Sequence, residues 1–229
     1  MIFNIFKKIS LIRQKYFKRN NTKFYSQFGE DKMLDEIIPR TLKNGFYVDV
    51  GSFHPIKHSN THLLFCRGWF GINIDMEIDK INTFKLARPN DFNYLGAVSD
   101  KVEKVKIIRN QKFGVSSTIN SDMIKKEDII DESYIETVTL DNILNNSPFK
   151  NKEIDLVNID TEGNDFKVLK SLNLETYNPK IIIIETHLKN IDEIIKSDMY
   201  IYLTAKKYNL KSWNIYSLIF IKENYYEDN

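Results

Sequence analysis

Acidic and imidazole side chains fall at four points of the chain where an apolar run stops. Asp49 and Gly51 close "FYVDVG", and His54, His58 and His62 follow in the next segment. Asp75 and Glu77 close "GINIDME", Asp160 and Glu162 stand in "NIDTEGND", and Glu185 and His187 end "IIIIETH". A carboxylate can bind paired hydroxyls, hold a cation or take a proton, and a histidine accepts a proton near neutral pH. Activating an alcohol requires such a base, or a metal ion that stabilises the developing negative charge.

The elements that must position these groups are short runs rich in Val, Ile and aromatics. They are "FYVDV" (46–50), "FGINID" (70–75), "NYLGAVS" (93–99), "IDLVNID" (154–160) and "KIIIIE" (180–185). Continuous apolar runs of this length predict strands covered on both faces, as in a parallel sheet. Between them "IDKINTFKLA" and "DFKVLKSLNL" predict helices, so the alternation is that of a doubly wound α/β sheet. "VEKVKIIRN" (102–110) and "IETVTLDNIL" (135–144) predict an inserted hairpin or extended excursion before the fourth core strand. "LKSWNIYSLIFIKEN" predicts an antiparallel strand pair at the end of the sheet. Ser26 predicts a helix start in "SQFGEDKMLDEII", with Met33, Leu34, Ile37 and Ile38 on its buried side and Pro39 at its end.

Ligands of open α/β sheets bind outside the carboxyl ends of the strands, where strand order reverses. Gly51 lets a ligand approach the backbone there, but a single glycine is no G-x-G-x-x-G fingerprint and excludes a pyrophosphate cradle. Asp75 is the candidate for gripping both hydroxyls of a ribose, with Glu77 its neighbouring alternative. A ligand with a ribose and a cation but no pyrophosphate is S-adenosylmethionine (SAM).

"FYVDVGSFHPIKHSNTHLLFCRGWFGINID", "ARPNDFNYLGAVSD", "ETVTLDNIL", "IDLVNIDTEGNDFKVLKSLN" and "PKIIIIETH" resemble, in order, the FkbM family of SAM-dependent methyltransferases. "SQFGEDKML" is similar to the block before the first strand in many members, so the resemblance covers roughly residues 24–187. It implies a class I methyltransferase (Rossmann-like) fold, with a mostly parallel doubly wound sheet and an antiparallel C-terminal pair. It also implies methyl transfer to oxygen, often on a sugar. By position, Asp49 and Gly51 would lie beside the methionine part of SAM, Asp75 would hold the ribose, and Ala97 to Asp100, including Ser99, would border the adenine. The family commonly has glutamate where this chain has Asp75.

Among the catalytic candidates His54, three residues beyond Gly51, is the first choice of base, with His58 and His62 as bystanders. Asp160 or Glu162 is the alternative group for an acceptor hydroxyl. Asp160 and Glu185 at neighbouring strand tips are also candidate ligands for magnesium, a placement similar to that in catechol-type O-methyltransferases. His187 as a third ligand would tilt the choice to manganese. "FGVSSTIN" (113–120), with Gly114, Ser116, Ser117 and Thr118, is a candidate lid or acceptor loop. Phe65, Trp69 and Phe70 are expected in the core.

A net charge of +2 on 229 residues gives no case for nucleic acid as a partner. One cysteine, Cys66, excludes an internal disulfide framework and a multi-cysteine zinc site and suits a reducing, cytoplasmic setting. No apolar run is long enough to span a membrane. The stretch before Glu30 holds no acid, and residues 2–18 have amphipathic spacing. The expected organisation is therefore a basic amphipathic helix in residues 1–23 and a methyltransferase domain in 24–229. That helix either docks on protein or lies on the inner face of an anionic membrane. The functional expectation is SAM-dependent O-methylation of a hydroxyl, on a sugar in a nucleotide-linked or glycan precursor. Its rival is a non-catalytic methyltransferase-fold protein recruited to a partner or membrane by the basic helix.

Overall fold

Strands that are apolar along nearly their whole length need cover on both faces, and the computed structural model, which describes residues 24–110, 116–120 and 129–226, supplies it. In chain order its elements are α1 (Glu30–Ile37), β1 (Phe46–Val50), α2 (His62–Cys66), β2 (Phe70–Asp75), α3 (Ile78–Ala87) and β3 (Phe92–Leu95). An excursion follows, with β4 (Ala97–Val98), β5 (Lys104–Asn110), β6 (Ser116–Thr118), β7 (Ile129–Val138) and α4 (Leu140–Asn146). The chain closes with β8 (Leu156–Ile159), α5 (Asp165–Lys170), α6 (Leu174–Tyr177), β9 (Ile181–Glu185), α7 (Ile191–Lys196), α8 (Asp198–Ala205), β10 (Tyr208–Asn214) and β11 (Ser217–Lys222).

The seven-stranded sheet runs β3-β2-β1-β8-β9-β11-β10. All pairs from β3 to β9 are parallel, whereas β11 is antiparallel to both β9 and β10. The chain moves outward from β1 to β3, then returns to β8 on the other side of β1, so strand order reverses between β1 and β8. Side chains divide by the period of two. Val48, Val157, Ile182 and Phe220 pack with α4, α5, α7 and α8, whereas Tyr47, Leu156, Ile183 and Ile219 pack with α1 and α2.

Three local expectations are corrected. The predicted third strand breaks at Gly96, whose N–H donates to the Asp75 carbonyl at 3.0 Å. Ala97–Val98 then leaves for a second sheet, β4-β7-β5-β6, in which β5 and β7 form the expected antiparallel excursion. α1 begins at Glu30 and not at Ser26. The Ser26 hydroxyl instead donates to the Asp31 carboxylate at 2.6 Å and accepts from Gly29 N–H, holding the turn before the helix. Met33 is exposed, while Leu34, Ile37 and Ile38 are buried. "DFKVLKSLNL" splits into α5 and α6 because Asn173 caps a new helix by accepting from Glu175 and Thr176 N–H. The 2–18 helix and residues 113–115 of the expected lid lie outside the described residues.

Candidate functional site

At the carboxyl ends of β1, β2, β8 and β9 lies a cleft of about 680 Å³, in the size range of small-molecule sites. Its floor is the β1 tip. Gly51 has φ 76°, and a Cβ there would lie 1.7 Å from the Asp160 carbonyl oxygen, so only glycine lets the β1 and β8 tips meet. Asp49 is buried beneath this contact. Its two oxygens accept from Thr61 Oγ1 at 2.7 Å and Asn158 Nδ2 at 2.8 Å. Burial pushes its carboxyl above the usual range, while Thr61, Arg88 and Asn158 pull the other way.

Asp75, at the β2 tip, accepts from Phe53 N–H at 3.2 Å and Glu77 N–H at 2.9 Å and lies 3.3 Å from Lys80 Nζ. Burial again raises its carboxyl. Asp75, Met76, Lys80, Gly96, Ala97 and Val98 line the cleft, whereas Glu77 is held by Arg109 and Ser117 and does not. Ser99 is buried and lies off the cleft wall.

The loop from Gly51 to Thr61 is anchored from below by Arg88, a fully buried arginine on the residue after α3. Its guanidinium donates to the Pro55 carbonyl at 2.6 Å, to Ser59, Thr61 and Tyr47 hydroxyls, and to Asn73. Tyr47 in turn donates to Asp91. This network explains where His54 goes. Its Nδ1 accepts from Ile56 and Lys57 N–H at 3.0 and 3.1 Å, and the ring is absent from the cleft wall. Burial and the neighbouring cations Lys57 and Arg88 also lower its pKa. In this structure His54 caps its own turn and stands off the cleft wall. His58 lines the cleft, stacked 6.1 Å from Phe53, and His62 packs edge-on against Tyr25.

Carboxylates gather at the β8 and β9 tips. Asp160, Glu162 and Glu185 line the cleft, with buried Glu30 beside them. Burial first, and then Asp165, Glu162 and Asp49, push Asp160 well above the ordinary carboxylate range. Glu185 is pushed up to about 10 by burial and by Asp160, Asp165 and Glu162. Asp165 is committed to the 161–165 turn, accepting from Thr161 N–H at 2.7 Å and Gly163 N–H at 3.0 Å. That turn holds Glu162 at φ 54°, a strained value for a side chain, and is braced from β6 by Thr118 Oγ1 donating to the Glu162 carbonyl. The structure brings Glu162, Glu185 and His187 together, with ligand atoms within 4.8 Å of one another, whereas Asp160 is outside that group.

Several lining residues carried no signal as site residues in the sequence. Gln27, Phe28 and Glu30 come from the segment leading into α1, and Tyr216 and Ser217 from the β10–β11 turn. The Ser217 hydroxyl donates to Glu30 at 3.1 Å, and the Phe28 and Tyr216 rings meet edge-on at 5.3 Å. The one available hint was the "SQFGEDKML" block, which no periodicity connects to the strand tips.

Compared with known proteins, residues 49–210 match the family model described as the methyltransferase FkbM domain. No curated protein sequence matches the chain. Among solved structures, a TehB-like SAM-dependent methyltransferase from Corynebacterium glutamicum ATCC 13032 Kitasato is similar at 11% identity and a TM-score of 0.43, over 96% of each chain.

Proposed function

Since this chain belongs to the FkbM family of methyltransferases, we propose that it is a class I, SAM-dependent O-methyltransferase acting on a hydroxyl of a sugar in a glycan precursor. The observation that carries the reading is the charge of the cleft. Asp160, Glu162 and Glu185 share one wall, and no described lysine or arginine pairs with them. Buried acids crowded in this way favour a cationic ligand, since a positive charge within a few ångströms stabilises their ionised forms. SAM has that character, and the β3-β2-β1-β8-β9-β11-β10 order supports the same reading through its reversal between β1 and β8.

When bound, SAM would supply an electrophilic methyl on its sulfonium, the O–C bond forming as the S–C bond breaks and S-adenosylhomocysteine leaves. The chain's residues then divide the work. Asp75 would hold the ribose hydroxyls, and Gly96 to Val98 would border the base. The Gly51 turn leaves the backbone open beside the methionine portion. Asp160 would face the cationic end of SAM, whose positive charge would offset the burial and acidic neighbours that raise Glu185 and leave Glu185 ionised to take the proton from the acceptor hydroxyl. Base catalysis of this kind contributes about 10²–10⁴-fold.

Calorimetric titration with SAM tests the cofactor reading: binding is expected for the wild type and at least tenfold weaker binding for Asp75→Asn. Equal affinities would refute the assignment of Asp75. With an acceptor in hand, Glu185→Gln should lose at least a hundredfold in turnover while retaining SAM, and His54→Ala should stay within about threefold of wild type.

A second reading adds a divalent metal at Glu162, Glu185 and His187, supported by the proximity of their ligand atoms. Two carboxylates suit magnesium, and the imidazole favours manganese. Undiminished activity after exhaustive chelation, with no effect of added manganese on unfolding, would remove it.

A further inference from the structure

We propose that the acceptor end of the cleft is a subsite for an uncharged, polyhydroxylated ring, built by Phe28, Tyr216 and His187 as walls and Asp160, Glu162 and Glu185 as hydroxyl acceptors. The inference rests on the methyl-transfer reading and narrows its acceptor, excluding a uronic acid or sugar phosphate at the ring that enters the cleft.

Three separate elements converge to make the walls. Phe28 precedes α1, His187 follows β9, and Tyr216 sits in the β10–β11 turn. The Tyr216 ring lies 5.3 Å from Phe28 and 5.7 Å from His187, and Tyr216 is 45% exposed and lines the cleft. The turn is fixed, with the Tyr216 carbonyl accepting from Thr186 N–H at 2.7 Å. An exposed ring held by its backbone offers apolar area at little conformational cost, which suits the C–H face of a sugar ring.

The acids supply the other half of the recognition. No described side chain donates a hydrogen bond to the Asp160 or Glu162 carboxylates, and the Glu185 carboxylate accepts one, from Glu162 N–H at 3.1 Å. The oxygens of these carboxyl groups offer acceptor positions that no described side chain fills, so this wall is matched by a ligand that donates several hydrogen bonds. Ring hydroxyls do so. A carboxylate or phosphate at the same place would add a further acid to a wall that already holds three, where the one basic group at hand is the His187 imidazole, 3.5 Å from Glu185. Lys80 is the cation among the described lining residues. It is engaged with Asp75 at the β2 tip, three strand spacings or about 14 Å from β9. Selection is therefore by repulsion of charged rings as well as by attraction of neutral ones.

The test uses the full chain saturated with S-adenosylhomocysteine, with EDTA present, and ligand-observed saturation-transfer NMR. The probes are methyl α-glucopyranoside and methyl α-mannopyranoside against glucuronate and glucose 6-phosphate. A neutral glycoside is expected to bind at least tenfold more tightly than either charged sugar. Tyr216→Ala should weaken it at least fivefold at unchanged S-adenosylhomocysteine affinity, and Glu162→Gln should narrow the neutral-to-charged ratio. Charged sugars binding as well as neutral ones, no neutral glycoside binding, or an indifferent Tyr216→Ala would overturn the proposal. SAM affinity measured on the same sample separates the two levels. Its absence sinks the methyltransferase reading, whereas intact SAM binding with the wrong sugar ranking sinks this inference alone.

Discussion

Replacing Gly51 with alanine should damage the protein far more than the same change at Gly29, and the difference measures how tightly the β1 and β8 tips are joined. Both glycines have left-handed backbones, φ 76° and φ 91°. For alanine that conformation costs about 1–2 kcal/mol, offset by roughly 0.4–1 kcal/mol from the stiffer unfolded chain. A Cβ at Gly29 meets nothing within 4 Å, so the net backbone term, about 1 kcal/mol, is all that Gly29→Ala should lose. At Gly51 the Cβ would lie 1.7 Å from the Asp160 carbonyl oxygen, and the backbone must part until the contact exceeds about 3 Å. That separation strains the adjacent hydrogen bond from Asp160 N–H to the Val50 carbonyl, 3.0 Å long, worth about 1 kcal/mol net. Overpacking adds about 1–3 kcal/mol. Gly51→Ala should therefore lose about 3–5 kcal/mol, a large part of a typical domain's stability. Urea unfolding of the two variants beside wild type, without ligand, makes the comparison. If Gly51→Ala is no less stable than Gly29→Ala, the close contact between the strand tips is not a constraint, and the account of the cleft floor fails.

The acid cluster makes a pH-dependent prediction. Glu185 is held at about 10 when folded against 4.5 ordinarily, so the folded chain keeps a proton that the unfolded chain releases, and stability falls as pH rises from about 4.5 to about 10. Glu185→Gln should remove that penalty, leaving the variant more stable than wild type at pH 8 by more than one pKa unit's worth, about 1.4 kcal/mol, with little difference at pH 4. Parallel stability–pH curves for the two proteins would contradict it. Arg88→Met should cost about 3–5 kcal/mol, because buried Asp49 loses the nearby cation that favours its ionised form and the Pro55 carbonyl stays buried without its donor. Arg88→Lys should recover less than half of that, since one ammonium cannot span the Pro55 carbonyl and the Tyr47 hydroxyl together. Full recovery by lysine, read by chemical denaturation, would reduce the role of Arg88 to charge alone.

Much of the scaffold was legible because its signals are local. The apolar runs 46–50 and 70–75 and the stretch 78–87 form β1, β2 and α3 at those bounds. Where a long-range contact competes, local reading fails. Nothing in "NYLGAVS" announces that Gly96 hands the chain from one sheet to another, since the partner of Ala97–Val98 is β7, some forty residues on. His54 was favoured for its type and its distance from Gly51, but its Nδ1 is spent on its own loop.

The sequence by itself determined the core strands β1, β2, β8 and β9, the acids at their ends, the glycine at the β1 tip and the family. Those depend on residue type, on period and on runs a few residues long. The tertiary structure alone decided which acids share a cleft, that Glu30 meets Ser217 across 187 residues of chain, and that Phe28 and Tyr216 form one wall. It also set the proton affinities of Asp160 and Glu185, because desolvation and charge repulsion belong to a place in space and to no position in the sequence.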